Sequence, residues 1–317
     1  MHVPVLLREV VTLLRPERGG TFVDATLGLG GHAEALLDAS AAVRVVGIDA
    51  DPEALALARE RLARFGGRLV PVEGRYEEIA AHLDRLGIAA VEGILADLGV
   101  SSLQLDRAER GFSFMKDGPL DMRMSKAGPS AADLVNGLSR EELSRIFREY
   151  GEERMAGRIA REIVEARAAA PVVTTGELRR LVLKATGPKR ERHKDPATRV
   201  FQALRIATNR ELIDLERFLD DAIARLALGA RVAVLSYHSL EDRIVKHVFA
   251  RQTAGCTCPP SFPVCVCPRR RVMALVTRKP IRPSLPELAQ NPRARSARLR
   301  VLERAAEENG RPGSPPR

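Results

Sequence analysis

The sequence contains no tryptophan, and its aromatic content is only 4%. Stacking of this protein on a nucleic-acid base must therefore depend on a few Phe or Tyr rings or on the planar side chains of arginine. Core formation is not limited in the same way, because 45% of the 317 residues are hydrophobic. A chain of this length predicts one large domain or two ordinary ones.

Long apolar segments are also missing. No run in the sequence is long and apolar enough to span a bilayer. The first residues, His2 to Glu9, lack the basic leader and unbroken apolar core of a secretory signal. These absences predict a cytoplasmic protein without membrane attachment. Its four cysteines are then expected to be reduced.

Acidic residues are in the minority. The 51 Lys and Arg residues exceed the 41 Asp and Glu residues, which gives a net charge of +10. This charge favours a polyanionic partner, either nucleic acid or an anionic membrane surface. Arginine outnumbers lysine by 44 to 7, so compositional drift in the coding sequence is an alternative origin for part of the pattern.

A glycine-rich turn lies between two β-branched segments. It reads Asp24-Ala-Thr-Leu-Gly28-Leu-Gly30-Gly31-His32, and Val45-Val-Gly-Ile-Asp49 follows it. This spacing is typical of a βαβ unit, in which glycines let the backbone turn sharply and approach a ligand. An acidic residue at the end of the second strand can accept hydrogen bonds from both hydroxyls of a ribose. The pattern therefore predicts a pocket for a nucleoside-containing cofactor.

Two classes of cofactor are compatible with this turn. Gly28-x-Gly30-x-x-Ala33 satisfies the loose dinucleotide fingerprint and indicates a nicotinamide-dependent oxidoreductase. Asp24, just ahead of the turn, favours a different ligand. A nearby carboxylate repels a pyrophosphate but attracts a sulfonium and an amino-acid ammonium. A third interpretation is that the glycines only turn the chain.

Strand and helix patterns alternate as far as Asp97. Apolar strands separated by amphipathic helices predict an α/β fold with a parallel sheet covered by helices on both faces. The next hundred residues have no strand pattern and are rich in capping boxes such as Ser139-x-x-Glu142. We therefore predict a core at 1–104 and 206–306, an inserted all-helical subdomain at 105–205, and a disordered tail at 307–317.

The second half of the core has its own predicted elements. A basic, capping-rich insertion gives way to apolar helical spacing and then to short apolar runs. We predict a helix at 199–227 that stops at Gly229, strands at 232–237, 272–277 and 299–302, and a helix capped by Ser239 with Asp242.

Six further motifs follow the glycine turn in a fixed order: Asp97-Leu-Gly-Val-Ser-Ser102, Glu109-Arg-Gly-Phe-Ser-Phe114, Gly118-Pro-Leu-Asp-Met-Arg-Met124, Pro196-Ala-Thr-Arg-Val-Phe-Gln202, His238-Ser-Leu-Glu-Asp-Arg243 and Asn291-Pro-Arg-Ala-Arg-Ser296. With these motifs, the chain from His2 to about Glu303 closely resembles the RsmH (MraW) methyltransferases. The resemblance implies a Rossmann-like class I methyltransferase sheet. It also implies methyl transfer from S-adenosylmethionine to N4 of a cytidine in the decoding region of small-subunit (16S) ribosomal RNA.

The same resemblance assigns residues to the cofactor. It implies that Gly30, Gly31 and His32 line the amino-acid end of S-adenosylmethionine and that Asp49 binds its ribose. Tyr76 would lie on the adenine, where many relatives have Phe. The complete set implied for the cofactor is Gly28, Gly30, Gly31, His32, Asp49, Tyr76, Asp97 and Gln104.

The group that holds the target amine is less defined. N4-cytosine and N6-adenine methyltransferases of DNA usually place Asp, Asn or Ser before Pro-Pro-aromatic at the end of the fourth strand. This chain has Asp97-Leu-Gly-Val100 there. An acceptor must take an amine hydrogen as the nitrogen becomes tetrahedral, and Asp97, Ser101 and Ser102 are the candidates. Asp97 is the predicted catalytic residue.

Two further roles have candidates in the sequence: the aromatic platform for the target base, and a histidine at the site. Phe112 or Phe114 could supply the platform for the base. His238 is another candidate at the site, although a hydrogen bond to the backbone at the end of a strand is its favoured role. Phosphate contacts are predicted for the basic run that contains Arg190, Arg192 and Lys194.

Cysteine pairs and the biological role complete the predictions. Cys256-x-Cys258 and Cys265-x-Cys267 favour either a tetrahedral zinc site or free reduced thiols. The usual zinc spacing leaves two residues within each pair, and here there is one. A ribosome-assembly factor that keeps the cofactor pocket without catalysis is a rival to the enzyme. A homo-oligomer is compatible with the sequence.

Overall fold

The computed structural model of the protein describes residues 4–125, 127–187, 195–254 and 272–306. The chain divides into two units. The core unit comprises Met1–Gly99 and Asp214–Arg317, and the helical unit comprises Val100–Ile213. The helical unit thus begins and ends a few residues outside the insertion of 105–205 that the sequence suggests. None of the described helices is both long and apolar enough to cross a membrane.

The core unit is built on a seven-stranded sheet with the order β3-β2-β1-β4-β5-β7-β6. β1 to β5 pair in parallel, whereas β7 runs antiparallel to both β5 and β6. The strands are β1 (Gly20–Asp24), β2 (Val43–Asp49), β3 (Leu69–Glu73), β4 (Val91–Asp97), β5 (Leu226–Ser236), β6 (Met273–Leu275) and β7 (Arg298–Arg304). This confirms the predicted α/β class.

Four helices alternate with the first strands: α1 (Leu7–Leu14), α2 (Gly31–Ala39), α3 (Pro52–Arg61) and α4 (Ile79–Arg85). α3 starts where the sequence suggests, because the Asp51 side chain accepts the Glu53 N–H and Pro52 occupies the first helical position. Buried residues of α1, α2 and α3 pack on one face of the sheet with Ala233 and Leu235 of β5. The alternate residues of β5 face the opposite side of the sheet.

The helical unit contains α5 (Ser102–Asp106), α6 (Ala131–Gly137), α7 (Arg140–Glu149), α8 (Ala156–Arg167), α9 (Thr175–Thr186) and α10 (Ala197–Asn209). The predicted capping box at Ser139 is present, and Thr174 forms a second one; in each, the side-chain hydroxyl accepts the N–H of the residue three positions later. One apolar cluster, which includes Phe147 and Ile159, lies inside this unit. The unit therefore has its own hydrophobic core.

The predicted helix at 199–227 is wrong. Arg210 has φ 56° and ψ 29°, a left-handed conformation that a helix does not continue through. The Arg210 N–H donates to the carbonyl of Ile206, and α10 ends at Asn209. A separate helix, α11 (Leu215–Ala224), follows. Gly229 is not the stop; it lies inside β5 with φ +79°.

The last two helices are α12 (Ser239–Thr253) and α13 (Leu285–Gln290). The predicted cap of α12 is also corrected. The N-cap is His238 rather than Ser239, because Nδ1 of His238 accepts the Glu241 N–H at 3.3 Å. Glu241 Oε2 in return accepts the N–H groups of Tyr237 and His238. His238 thus has the backbone role that the sequence favours.

Candidate active site

Three carboxylates lie at one edge of the core sheet. Asp24, Asp49 and Asp97 are the last residues of β1, β2 and β4, which are adjacent and parallel. The carboxyl ends of parallel strands in a doubly wound sheet form the ligand-binding crevice. The sheet therefore brings together three acidic groups that are up to 73 residues apart in the chain.

The glycine turn joins β1 to α2 at this edge. Gly28 and Gly30 have φ +52° and +76°, which residues with a Cβ adopt at a cost. A Cβ on Gly30 would also lie 2.7 Å from Cδ1 of Leu62, whereas a Cβ on Gly28 would meet only one atom, at 3.9 Å. Gly30 is therefore required by packing as well as conformation, and the backbone at Gly28 is open on its Cβ side.

Asp49 holds the turn in place. Its Oδ2 accepts the Gly28 N–H at 2.7 Å, and its Oδ1 accepts the Asp51 N–H at 2.9 Å. Burial raises the pKa of the Asp49 carboxyl, and the two backbone hydrogen bonds act in the opposite direction. Each carboxylate oxygen has further acceptor capacity for a ligand. Asp49 thus links the turn to the start of α3 and keeps lone pairs available.

Asp97 is held at its backbone and at one carboxylate oxygen. Its N–H donates to Oγ1 of Thr26 at 2.7 Å, and its Oδ1 accepts the hydroxyl of Tyr237 at 2.7 Å. Its Oδ2 lies 3.7 Å from Nδ1 of His32. Sequence reasoning missed both Thr26 and Tyr237. Their signal was positional: Thr26 follows β1, and Tyr237 follows β5, the two neighbours of the strand that ends in Asp97.

The tautomer of His32 follows from its second contact. The side chain is buried, and Nε2 lies 3.0 Å from the carbonyl oxygen of Val5. A carbonyl only accepts, so the proton of the neutral ring is assigned to Nε2. Nδ1 is then an acceptor that faces Asp97 Oδ2. The two atoms form a pair of acceptors suited to a donor such as an ammonium group.

Asp24 is almost completely buried, with 1% of its surface exposed. Its pKa is raised to about 7, chiefly by burial and also by the charges of Asp97 and Asp49, while the Thr26 N–H, 3.3 Å from Oδ1, acts against them. Another anion would add to this repulsion, whereas a cation would relieve it. The acidic groups at this edge therefore fit S-adenosylmethionine, with its sulfonium and ammonium, better than a pyrophosphate.

Tyr76 lies in a short 3₁₀ helix, Tyr76–Glu78, after β3. Its half-buried ring meets Phe218 of α11 edge to face, with centroids 4.8 Å apart. Since β2 and β3 are neighbours, this ring lies one strand from Asp49. The position is compatible with an aromatic platform, and the adenine contact stays a prediction.

The predicted residues of the helical unit have structural partners of their own. Gln104 is buried, and its Oε1 accepts the Ser101 N–H at 3.0 Å; Ser101 Oγ accepts the Gln104 N–H at 3.3 Å. The pair is thus the capping box of α5. Phe112 is 7% exposed within the core of the unit, so its ring is not a free platform. Phe114 is half-buried and meets Phe201 edge to face at 4.9 Å.

Several predicted residues lie outside the part of the chain that the structure describes. They are Arg190, Arg192 and Lys194, and the four cysteines Cys256, Cys258, Cys265 and Cys267. The same holds for the side chain of Ser102 and for the tail from residue 307. Their roles stay predictions.

The sheet order, its reversed β7 and the acidic strand ends define the Rossmann-like class I methyltransferase fold. Residues 1–305 match the MraW methylase family, and the chain belongs to that family. The nicotinamide-dependent oxidoreductase interpretation is accordingly wrong.

Relatives of this chain share its full length. It is 53% identical over 307 residues to the "Ribosomal RNA small subunit methyltransferase H" of Geobacter sp. (strain M21), covering 96% of this chain and 98% of the relative. The protein of the same name from Carboxydothermus hydrogenoformans is 50% identical over 304 residues, with 96% and 97% covered. The solved structure of an rRNA methylase from Streptococcus thermophilus has a TM-score of 0.44 at 11% identity, covering 96% and 100% of the chains. That likeness is too weak to support an argument.

Proposed function

We propose that this protein transfers the methyl group of S-adenosylmethionine to N4 of a cytidine in the decoding region of small-subunit (16S) ribosomal RNA. The observation that carries the proposal is the family match over residues 1–305, with relatives about 50% identical that are named small-subunit ribosomal RNA methyltransferases. The position and the N4 atom come from the RsmH (MraW) resemblance of the motifs. The ribosome places this reaction in the cytoplasm.

The residues at the sheet edge suggest how the cofactor would be held. We assign its ribose to Asp49, its adenine to Tyr76, and its amino-acid end to the turn at Gly30, Gly31 and His32 with Asp97. Gly28 would present open backbone to the cofactor, and the assignment of Gln104 rests on the resemblance of the motifs. S-adenosylmethionine, when bound, supplies an electrophilic methyl group on a sulfonium. The acidic edge supports this placement because it favours a cationic ligand.

The main contribution of the protein to this reaction is to orient the reacting groups. The lone pair of cytosine N4 is delocalised into the ring, so it must be aligned with the methyl group while an acceptor takes an amine hydrogen. The hydroxyl of Tyr237 donates to Oδ1 of Asp97 and so orients the carboxylate. We therefore assign the acceptor role to the Asp97 carboxylate. Ser101, whose hydroxyl caps α5, and Ser102 are the remaining candidates.

The helical unit is proposed to face the RNA. It exposes four arginines with no acidic partner among the described residues: Arg140 and Arg148 of α7, Arg154 just before α8, and Arg180 of α9. Arg190, Arg192 and Lys194 would extend this surface. Such residues bind phosphates without reading sequence, and they would hold the strand while the cytidine leaves its stack.

Methyl transfer to purified small ribosomal subunits tests the proposal. Subunits that lack the modification would be incubated with the protein and with cofactor labelled in its methyl group. We expect label in one cytidine of the decoding region, recovered as N4-methylcytidine after nuclease digestion. Label in another nucleotide or at another atom would contradict the assignment, and tight binding without transfer would favour the assembly-factor rival. Naked 16S RNA tested in parallel identifies the form of the substrate.

A zinc site at the two cysteine pairs is a separate part of the proposal. Reduced thiolates are preferred zinc ligands, although the single residue within each pair departs from the usual spacing. Metal analysis of protein purified under reducing conditions tests it. One zinc per chain that is lost when Cys256 and Cys265 are changed to Ser supports the site, and substoichiometric zinc in the wild-type protein excludes it.

A further inference from the structure

Four basic side chains are exposed in the segment that surrounds α13. Arg278, Lys279 and Arg282 lie in the loop between β6 and α13, and Arg295 lies in the 3₁₀ helix Pro292–Ser296 just before β7. All four side chains are exposed. We refer to these four residues as the basic edge.

The charge of the basic edge is not compensated locally. Seven of the eight Lys, Arg, Asp and Glu residues between 276 and 300 are basic. The single acid, Glu287, accepts the Leu6 N–H at 2.7 Å. Arg298 and Arg300 both bind Asp242. Within the described ranges, no carboxylate forms an ion pair with a residue of the basic edge.

The sheet register places the basic edge beside the candidate active site. Asp97 is aligned with Leu235 in β5, Leu235 with Leu299 in β7, and Leu299 forms a bridge with Ile281. These four residues form one row across the sheet. Adjacent strands are about 4.8 Å apart, so Ile281 is about 14 Å from Asp97 along the carboxyl edge. Arg282 directly follows Ile281.

The backbone that carries these side chains is firmly attached to the sheet. The N–H groups of Ile281 and Leu299 each donate to the carbonyl of the other residue at 2.9 Å. Oγ1 of Thr277, which is buried, accepts the Val301 N–H at 2.9 Å. Ala294 and Ala297, which flank Arg295 in the chain, are buried in the core cluster that packs on the sheet. Because this backbone is already fixed, binding of a ligand does not have to order it.

We infer that the basic edge is a second RNA-binding surface, on the core unit, which holds phosphates of the ribosomal RNA strand a few nucleotides from the target cytidine. This inference rests on the proposed function, because the RNA substrate is part of that function. The four cations are uncompensated and stand on a fixed backbone, and Arg282 follows a residue that is about 14 Å from Asp97. This arrangement matches a polyanion that passes over the site. A solvated basic face without a ligand is the alternative that an experiment must exclude.

The test removes three charges from the basic edge and three from the opposite edge of the sheet. The test variant carries Arg278→Gln, Lys279→Gln and Arg282→Gln. The control variant carries Arg18→Gln, Arg44→Gln and Arg59→Gln, which are exposed residues before β1, at the start of β2 and near the end of α3. Both variants have the same net charge, so a difference between them reports position rather than total charge.

Affinity for purified small subunits is measured by filter retention across a salt series, without cofactor. Each lost phosphate contact reduces the magnitude of the slope of log K against log salt by roughly 0.7 to 0.9, so the loss of three contacts should reduce it by about 2.1 to 2.7. Its affinity at 0.1 M salt should fall about 10- to 100-fold. The control variant should lose much less, and both should bind S-adenosylmethionine like the wild type.

One result overturns the inference: a test variant whose slope and affinity equal those of the control variant. Cofactor binding at the wild-type level in both variants is the check that the fold is intact. Binding is measured without methyl transfer, so the two proposals can fail separately. A wild-type protein that binds subunits but does not methylate them refutes the proposed chemistry, and the comparison of the two variants still decides the inference. Changing Arg295→Gln in addition should lower the slope by roughly a further 0.8.

Discussion

The hydroxyl of Tyr237 donates a hydrogen bond of 2.7 Å to Oδ1 of Asp97. The two residues are 140 positions apart in the chain, and the parallel pairing of β4 with β5 brings them together. Burial, followed by the charge of Asp97, raises the pKa of Tyr237 well above its ordinary value. The hydroxyl therefore keeps its proton at neutral pH, and its hydrogen bond orients the carboxylate of Asp97.

Tyr237→Phe should lower kcat/KM about tenfold while the fold survives. The change removes a hydrogen bond to a charged acceptor, which is worth about 1.5–3 kcal/mol, and keeps the ring that packs in place. Steady-state methyl transfer and calorimetric titration with S-adenosylmethionine are the measurements. Tyr150→Phe in the helical unit is the matched control. Equal kinetics and cofactor affinity for both variants would show that Tyr237 does not position Asp97.

Asp49→Ala should weaken S-adenosylmethionine binding about tenfold to a hundredfold, because a charged acceptor for the ribose is lost. The structure adds a second expectation. Since Asp49 also accepts the Gly28 and Asp51 N–H groups, the alanine variant should lose some thermal stability. Asp49→Asn keeps one acceptor oxygen and separates the two effects. An unchanged cofactor affinity in Asp49→Ala would refute the ribose assignment.

Asp24 should make the stability of the free protein depend on pH. Its pKa is about 7 when folded and 3.8 as an ordinary value, so between these values the folded protein holds a proton that the unfolded chain releases. Stability is therefore lost as pH rises from about 4 to 7, by at most about 4 kcal/mol. Asp24→Asn removes this loss and should be more stable than the wild type at pH 8, with a smaller advantage at pH 5.

Denaturant unfolding at pH 5, 6, 7 and 8 measures this difference. Asp117→Asn is a control of opposite sign. The hydrogen bond from the Gly176 N–H is the largest cause that lowers the pKa of Asp117, so its carboxylate stabilises the fold above the ordinary pKa. A gap between wild type and Asp24→Asn that does not change with pH would mean that Asp24 stays ionised when folded.

The α/β core was predictable because its signals are local. The glycine turn, the apolar strands and Asp49 all lie within one βαβ unit, and their spacing alone indicates a nucleotide-like ligand. The environment of Asp97 was not predictable in the same way. Tyr237 is near Asp97 only because β5 lies beside β4, and adjacency of distant strands is not written in either segment.

The errors of sequence reasoning have specific physical causes. Apolar spacing continues through Arg210, so the break between α10 and α11 depends on one left-handed residue that carries no glycine signal. Gly229 looks like a helix stop but lies in β5 at φ +79°. In each case tertiary packing decides a position that local propensity leaves open.

Neutralising Arg190, Arg192 and Lys194 together, each to Gln, should weaken binding to small subunits and flatten its salt dependence. These residues lie outside the described part of the chain, and the prediction follows from their charge and their place in the insertion. The slope should fall by roughly 0.7 to 0.9 for each phosphate contact, while cofactor affinity stays unchanged. Arg190→Lys with Arg192→Lys is the control, because it keeps the charge and should keep the slope. A triple variant that matches the wild type in both affinity and slope would place the RNA-binding surface elsewhere.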